Sequence, residues 1–152
     1  MSAQPNQALA ISIREAAKLC GLPESTLRYY ESIGIIHPIQ RDSSSKHRTY
    51  SEEDLNILVA IACLNATGMS IDDMRRYLKN RTLGSAAAAE QIELLEAQAQ
   101  RLADESRFLR LRQRYLNLKI NYWQAVGAGD HNRAAEISGQ AQAIAGELKK
   151  SI

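Results

Sequence analysis

The chain is poor in the residues from which a large ligand-holding core or a catalytic cluster is built. Among 152 residues there are one Phe, one Trp and six Tyr, so aromatics reach only 5%, and 22 of the apolar residues are alanine. A large globular binding core is therefore not expected, and the length fits one domain, or a small domain with an elongated attachment. Only two cysteines occur, Cys20 and Cys63, with no Cys-x-x-Cys and no histidine cluster beside them. This argues against a disulfide framework or structural zinc site, so no metal and no cofactor are expected, and reduced thiols in a cytoplasmic protein are the default. The three histidines, His37, His47 and His131, are scattered, and no Ser/His/Asp arrangement or glycine phosphate loop accompanies them, which disfavours an enzyme. No run of about 18 apolar residues exists, and the opening MSAQPNQ lacks the basic start and apolar stretch of a signal peptide, so no membrane association is expected. Charge of one sign is lacking too: 19 Lys+Arg against 17 Asp+Glu leave +2. Any nucleic-acid surface must come from placement rather than net charge. Proline is confined to Pro5, Pro23 and Pro38, so long uninterrupted helices are permitted everywhere beyond.

What is present begins at Ile11, after an aperiodic segment over residues 1–10 that is expected to be a flexible arm. In SIREAAKLCGL, Ile13, Ala16, Ala17 and Cys20 recur at helical spacing, Ser12 and Glu15 make a capping box, and Gly21 ends the helix. PESTLRYYESIG frames a second short helix between Pro23 and Gly34, and the pair makes a helix-turn-helix. IIHPIQR, DSSSKH and RTYS then read as strand, turn and return strand, a β-hairpin wing. Ser51 with three carboxylates behind it starts a third helix, with Leu55, Leu58, Val59, Ala62 and Cys63 on one face. Ser70 caps a fourth, with Ile71, Met74, Tyr77 and Leu78 as its buried stripe.

From Ser85 the composition shifts to a stretch with neither Gly nor Pro before Gly127. Leu95, Leu102, Leu109 and Leu116 repeat every seven residues, with Ala88 and Trp123 extending the series and Ile92, Ala99, Ser106, Gln113 and Ile120 as the alternate seam. Such a helix, about 60 Å long, cannot bury its stripe alone, so a second copy is the simple partner; a helix in a monomeric bundle is the alternative. The small and polar alternate seam suits antiparallel packing. Asp130 caps a last helix with Ala134, Ile137, Ala141, Ile144 and Leu148 on one face, expected to fold back. The expected fold is mainly α: a winged helix-turn-helix domain at 11–83, a dimerisation helix at 84–126, and a turn and short helix at 127–152 serving as an effector or dimer-cap region.

In a helix-turn-helix the second helix enters the major groove. Its outward residues here are Glu24, Ser25, Arg28 and Tyr29, with Leu27 and Tyr30 facing inward; Arg28 is suited to guanine or phosphate through paired hydrogen bonds. The wing adds Arg41, Lys46, His47, Arg48 and Tyr50. The stretch TLRYYESIGIIHP followed by KHRTYSEEDL resembles the mercury-resistance regulator (MerR) family of winged-helix transcription factors, through Arg28-Tyr29-Tyr30-Glu31, Gly34, Pro38 and Arg48-Thr49-Tyr50, and the likeness continues through ATGMSIDDMRRYL. The resemblance implies a homodimer, joined by an antiparallel coiled coil through Ile92, Leu95, Leu102, Leu109, Leu116, Ile120 and Trp123. Such a dimer sits on double-stranded palindromic promoter DNA and distorts its spacer for RNA polymerase. It carries DNA-contact roles onto Arg28, Tyr29, Arg48 and Tyr50, and onto Lys18, Arg41, Lys46 and His47.

What is sensed is less determined. Metal-sensing relatives place cysteines at the start of the dimerisation helix and in a loop beyond it, where this chain has Ser85 and GAGDHN. Multidrug-responsive relatives carry a large ligand domain, for which the residues after Gly129 are too few. ACLNATGMSIDDMRRYL resembles the aldehyde- and nitrosative-stress-responsive branch, which implies a sensor thiol at Cys63, against the alternative of a small buried hydrophobe. Cys20 reads as core packing. A small apolar effector near Tyr115, Tyr122 and Trp123 is a second possibility, and a coiled-coil adaptor without DNA binding is the reading from another class.

Overall fold

The computed structural model describes residues 10–151, so the expected arm at 1–10 lies outside them except for exposed Ala10. Six α-helices run in order: α1 (Ile13–Cys20), α2 (Glu24–Ser32), α3 (Glu52–Ala66), α4 (Ile71–Arg81), α5 (Ala88–Gly127) and α6 (His131–Lys150), with a 3-10 turn at Gly84–Ala87 before α5. Four of the starts, those of α1, α3, α4 and α6, follow from side-chain oxygens that accept backbone N–H groups left without helical partners. Ser12 accepts from Glu15 N, Ser70 from Asp73 N and Asp130 from Arg133 N. Ser51 and Asp54 form a reciprocal capping box at α3. Gly21 ends α1 at φ +77°, a conformation that side chains with a Cβ resist.

The residues divide into two compact units, the first reaching Glu96 and the second starting at Ala97. The first unit therefore extends past the boundary expected at 83. Two contacts tie the start of α5 back to α4: Arg76 Nη2 meets Glu90 Oε1 at 2.7 Å, and Gln91 Nε2 donates to the Tyr77 carbonyl at 2.9 Å. The core of this unit gathers Ala16 from α1, Leu27 and Tyr30 from α2, Leu58, Ile61 and Leu64 from α3, and Met74 from α4. Ile35, Ile36, Ile39 and Tyr50 close it from the connecting segment.

Two expectations are corrected here. No β-strand forms among the described residues; the wing is a hairpin closed by one antiparallel bridge, Arg41 to Arg48, and Tyr50 bridges to Ile11 instead. Pro38 has no N–H to give a ladder, and Ile36 and Ile39 turn inward on either side of it. The buried face of α3 is also rotated from the one expected. Leu58, Ile61 and Leu64 are buried, whereas Val59 is 42% exposed and Cys63 is exposed.

In the second unit α6 packs along Leu118, Tyr122 and Ala125 of α5, burying Ala134 and Ile137. Ala141 and Ile144 are buried further along the same helix. The α5 residues that face α6 recur at three- and four-residue steps on the side opposite the leucine repeat. Leu102, Leu109, Leu116, Ile120 and Trp123 remain exposed in the single chain, Trp123 at 66%. The long helix therefore carries two apolar stripes, one covered by α6 and one uncovered.

Candidate nucleic-acid interface

The second helix of the helix-turn-helix presents Ser25, Arg28 and Tyr29 to solvent, with Leu27 and Tyr30 buried beneath them at 1% and 5% exposure. Arg75 fixes the far end of α2, its Nη1 donating to the Ile33 carbonyl at 2.8 Å. Gly34 follows in the left-handed region, and a Cβ there would stand 3.4 Å from that same guanidinium nitrogen.

The wing is built around Asp42. Its Oδ1 accepts from Ser44 N, Ser44 Oγ and Ser45 N, at 2.7 to 2.9 Å. The Ser45 backbone N–H, then the Ser44 hydroxyl and N–H, hold this carboxyl far below the usual range, so it stays ionised at the tip. The turn puts Lys46 at φ +63°, uncommon for a residue with a side chain. Arg41 Nη1 donates to the Lys46 carbonyl at 3.0 Å, Asp42 N to the His47 carbonyl at 2.8 Å, and Thr49 N to the Gln40 carbonyl at 2.7 Å. These bonds hold the loop in one shape, and Lys46 Nζ adds to them by donating to the Ser43 carbonyl at 2.9 Å, while Arg41, Lys46 and His47 stay exposed.

Arg48 joins the wing to α2. Its Nε donates to Glu31 Oε1 at 2.9 Å, with the two side chains 20% and 16% exposed. Arg28, Arg41, His47 and Arg48 then line one depression, whose remaining wall is Ser12 and Ile13 at the start of α1. Three guanidiniums and an imidazole thus converge where one helix and one turn meet, an arrangement suited to phosphate oxygens and the edges of bases. Lys18 is exposed on α1 and Lys46 on the wing tip, outside that depression.

Tyr50 is a correction. It is 1% exposed, its backbone is paired with Ile11, and burial raises its phenol above the ordinary value. It fills the core under the wing and presents no surface to DNA. Sequence reasoning also missed three supports: Glu31 as the anchor of Arg48, Arg75 as the cap of α2, and a clamp of His37 on Asp54. In that clamp His37 Nε2 lies 2.7 Å from Asp54 Oδ1 and Nδ1 lies 2.9 Å from the Pro38 carbonyl. Only the Glu of the Arg-Tyr-Tyr-Glu run carried a signal, since a carboxylate near a cationic wing invites an ion pair.

Of the thiols, Cys20 packs against the core with its Sγ 3.8 Å from the Ala17 carbonyl, and Cys63 is exposed. Of the aromatic trio expected near an apolar effector, Tyr122 and Trp123 meet edge to face with ring centroids 5.3 Å apart. Tyr115 and Tyr122 are half-buried and share Lys119, whose Nζ lies 5.6 and 5.7 Å from their rings, while Trp123 stands on the uncovered stripe. No helix among the described residues is long and apolar enough to cross a membrane.

Comparison with known proteins matches residues 11–81 to the family described as MerR HTH family regulatory protein. The HTH-type transcriptional regulator AdhR of Bacillus subtilis is 35% identical over 94 residues, covering 62% of this chain and 66% of that regulator, so the chain spans just under two thirds of it. An uncharacterized HTH-type transcriptional regulator of Haemophilus influenzae is 30% identical over 118 residues, covering 75% of this chain and 84% of its own length. Among solved structures, HiNmlR, described as a MerR family regulator lacking the sensor domain and bound to promoter DNA, superposes with a TM-score of 0.60. The identity is 26%, over 84% of this chain and 95% of that one.

Proposed function

The chain belongs to the MerR family of helix-turn-helix regulators, and from that premise we propose that it is a homodimeric transcriptional regulator that binds a palindromic promoter and distorts the DNA between its two half-sites. The observation that carries this reading is the depression in which Arg28 of α2 meets Arg41, His47 and Arg48 of the wing. Arg28 reads bases or phosphate from the groove, Tyr29 and Ser25 donate hydroxyls beside it, and Arg41, Lys46 and His47 hold the flanking backbone. Arg48 is set by Glu31 and keeps its outer N–H groups for phosphate. The protein works in the cytoplasm beside RNA polymerase and catalyses no reaction.

Dimer formation is supported by the uncovered stripe of α5 and by its charge. Up to Glu105 the helix carries Glu90, Glu93, Glu96, Asp104 and Glu105 with only Arg101 opposing them; beyond, it carries Arg107, Arg110, Arg112, Arg114 and Lys119 with no carboxylate. Antiparallel pairing lays the acidic half of one copy on the basic half of the other, whereas parallel pairing stacks like on like. Bending a promoter against its stiffness costs on the order of a few kcal/mol, which two heads joined by one coil supply through simultaneous phosphate contacts.

The signal we assign to Cys63 is an electrophile of aldehyde type or a nitrosating species. Exposure of the thiol on α3 supports this over a packing role. Addition of the thiol across an aldehyde carbonyl forms a C–S bond and moves the thiol proton to the carbonyl oxygen. The DNA-binding proposal is tested by sequencing the DNA that the purified chain retains from fragmented genomic DNA. Enrichment of a palindrome inside promoters is expected; retention of no DNA, or of DNA sharing no palindrome, would rule the proposal out.

A further inference from the structure

The second unit holds a concavity that DNA reading does not use. It has a volume of about 400 Å³ and lies between Arg107 to Arg114 of α5 and the last turn of α6, within the range of about 300 to 1,000 Å³ typical of small-molecule sites. Its base is apolar, formed by Phe108 and Leu111, and Arg107 lies over the Phe108 ring with 5.0 Å to the centroid. Its rim is cationic: Arg107, Arg110 and Arg114 from three- and four-residue steps along α5, joined by Lys150 of α6, against the single carboxylate of Glu147. Among the described residues none of these four cations has a carboxylate within ion-pair distance. Arg110 is oriented by Ser106, its Nη2 donating to the hydroxyl at 3.2 Å.

Position matters as much as charge. Phe108 and Leu111 belong to the side of α5 that meets the end of α6; Leu111 lies across the helix from Leu109, and Phe108 stands on the flank, about 100° round from it. A second copy covering the leucine stripe therefore leaves the concavity open. Four cations held around an apolar base repel one another and leave the base wet; a guest with one anionic group and an apolar body relieves both penalties. A DNA backbone, by contrast, is matched by an extended cationic track and gains nothing from a phenyl ring at the bottom of a pit.

We propose that this concavity is a binding site for a small amphipathic organic anion, a carboxylate carried on an aromatic or aliphatic body. The carboxylate takes paired hydrogen bonds from Arg107 and Arg114 at the rim, and the body lies against Phe108 and Leu111. The site stands independently of promoter binding, and its test reads binding alone.

Phe108 is the sole phenylalanine of the chain, so full-length protein made with isotope-labelled phenylalanine gives one backbone amide resonance at the site. Titration with phenylbutyrate is expected to move that resonance saturably. The exposed double variant Arg107→Gln/Arg114→Gln is expected to bind about tenfold more weakly or worse, with Arg107→Lys/Arg114→Lys between the two. Inorganic phosphate, which has the charge without the body, and phenylbutylamine, which has the body with the opposite charge, are expected to bind far more weakly. Absence of a saturable shift, unchanged affinity in the glutamine variant, or equal binding of either control overturns the proposal. Circular dichroism confirms that each variant is folded, so a lost shift reports the site.

Discussion

Replacing His37 with Asn is expected to destabilise the first unit at mildly acidic pH and to have much less effect at alkaline pH. The imidazole lies between two acceptors, with Nε2 2.7 Å from Asp54 Oδ1 and Nδ1 2.9 Å from the Pro38 carbonyl. A neutral ring has one N–H and can serve only one of them, so both contacts require the imidazolium. The other oxygen of Asp54 is taken by Ser51 N at 3.0 Å, which keeps the buried carboxylate in place. The proton is favoured first by the Pro38 carbonyl and then by Asp54 and Glu53, against partial burial, and the pKa of His37 is raised above its ordinary 6.5. Because the folded value is the higher one, the stabilisation is complete below the unfolded value and is lost as pH rises through the folded value. A hydrogen bond to a charged partner contributes about 1.5 to 3 kcal/mol. The His37 side chain is 56% exposed, and solvent screening reduces the figure to about 1 kcal/mol. For a unit of this size that corresponds to a Tm difference of about 4 to 8 °C. Thermal melts of both proteins near pH 6 and near pH 9, about either side of the titration, measure it. A gap that is equal at both ends, or wider at the alkaline end, would refute a charged His37 clamp.

Further outcomes follow from the same structure. Tyr50→Phe removes a buried hydroxyl that has no hydrogen-bond partner among the described residues; stability should stay level or rise by up to about 1 kcal/mol with DNA affinity unchanged, and a large loss of affinity would return the hydroxyl to phosphate. In the antiparallel register that sets each leucine opposite the alternate seam, Leu109 of one copy meets Ser106 of the other, and Glu105 stands near Arg112. Glu105→Arg should weaken the dimer about tenfold and Arg112→Glu in the same chain should restore it, as sedimentation equilibrium reports; failure of the second change to compensate rejects this register. Cys63→Ser should abolish promoter activation by aldehydes or nitric oxide donors while leaving DNA affinity intact, and full activation by that variant in a reporter assay removes the thiol from the mechanism.

Much of the fold was legible because helix boundaries are local chemistry. Ser12, Ser51, Ser70 and Asp130 each cap the helix their spacing announces. The outward face of α2 was equally legible, since Leu27 and Tyr30 mark its inner side. The phase of α3 was not: from Leu55 to Leu64 nearly every residue is apolar, so periodicity cannot distinguish a face holding Leu58, Ile61 and Leu64 from one holding Val59 and Cys63. The decision is made by packing against α1 and by the burial of Asp54, which the His37 clamp permits. The leucine repeat of α5 masked a second stripe through Phe108, Leu111, Tyr115, Leu118 and Tyr122, because a mixed aromatic and aliphatic row has no single-letter signature. In the wing, β-branched residues read as strands, yet Pro38 and the inward Ile36 and Ile39 leave one bridge. Tyr50 was assigned to DNA by its motif, and only tertiary structure shows it beneath the surface.

The claim that Arg28 and the wing form a DNA-reading surface is tested most directly by fluorescence anisotropy on the enriched palindromic fragment over a series of salt concentrations. The wild-type chain should bind with affinity that falls steeply as salt rises, reflecting several phosphate contacts. Arg28→Ala should cost about 1 to 3 kcal/mol and relax preference within each half-site, while Arg41→Ala should weaken all sequences alike and flatten the salt slope by about one. Binding that is indifferent to salt, or an Arg28→Ala chain that binds as the wild type does, would contradict it.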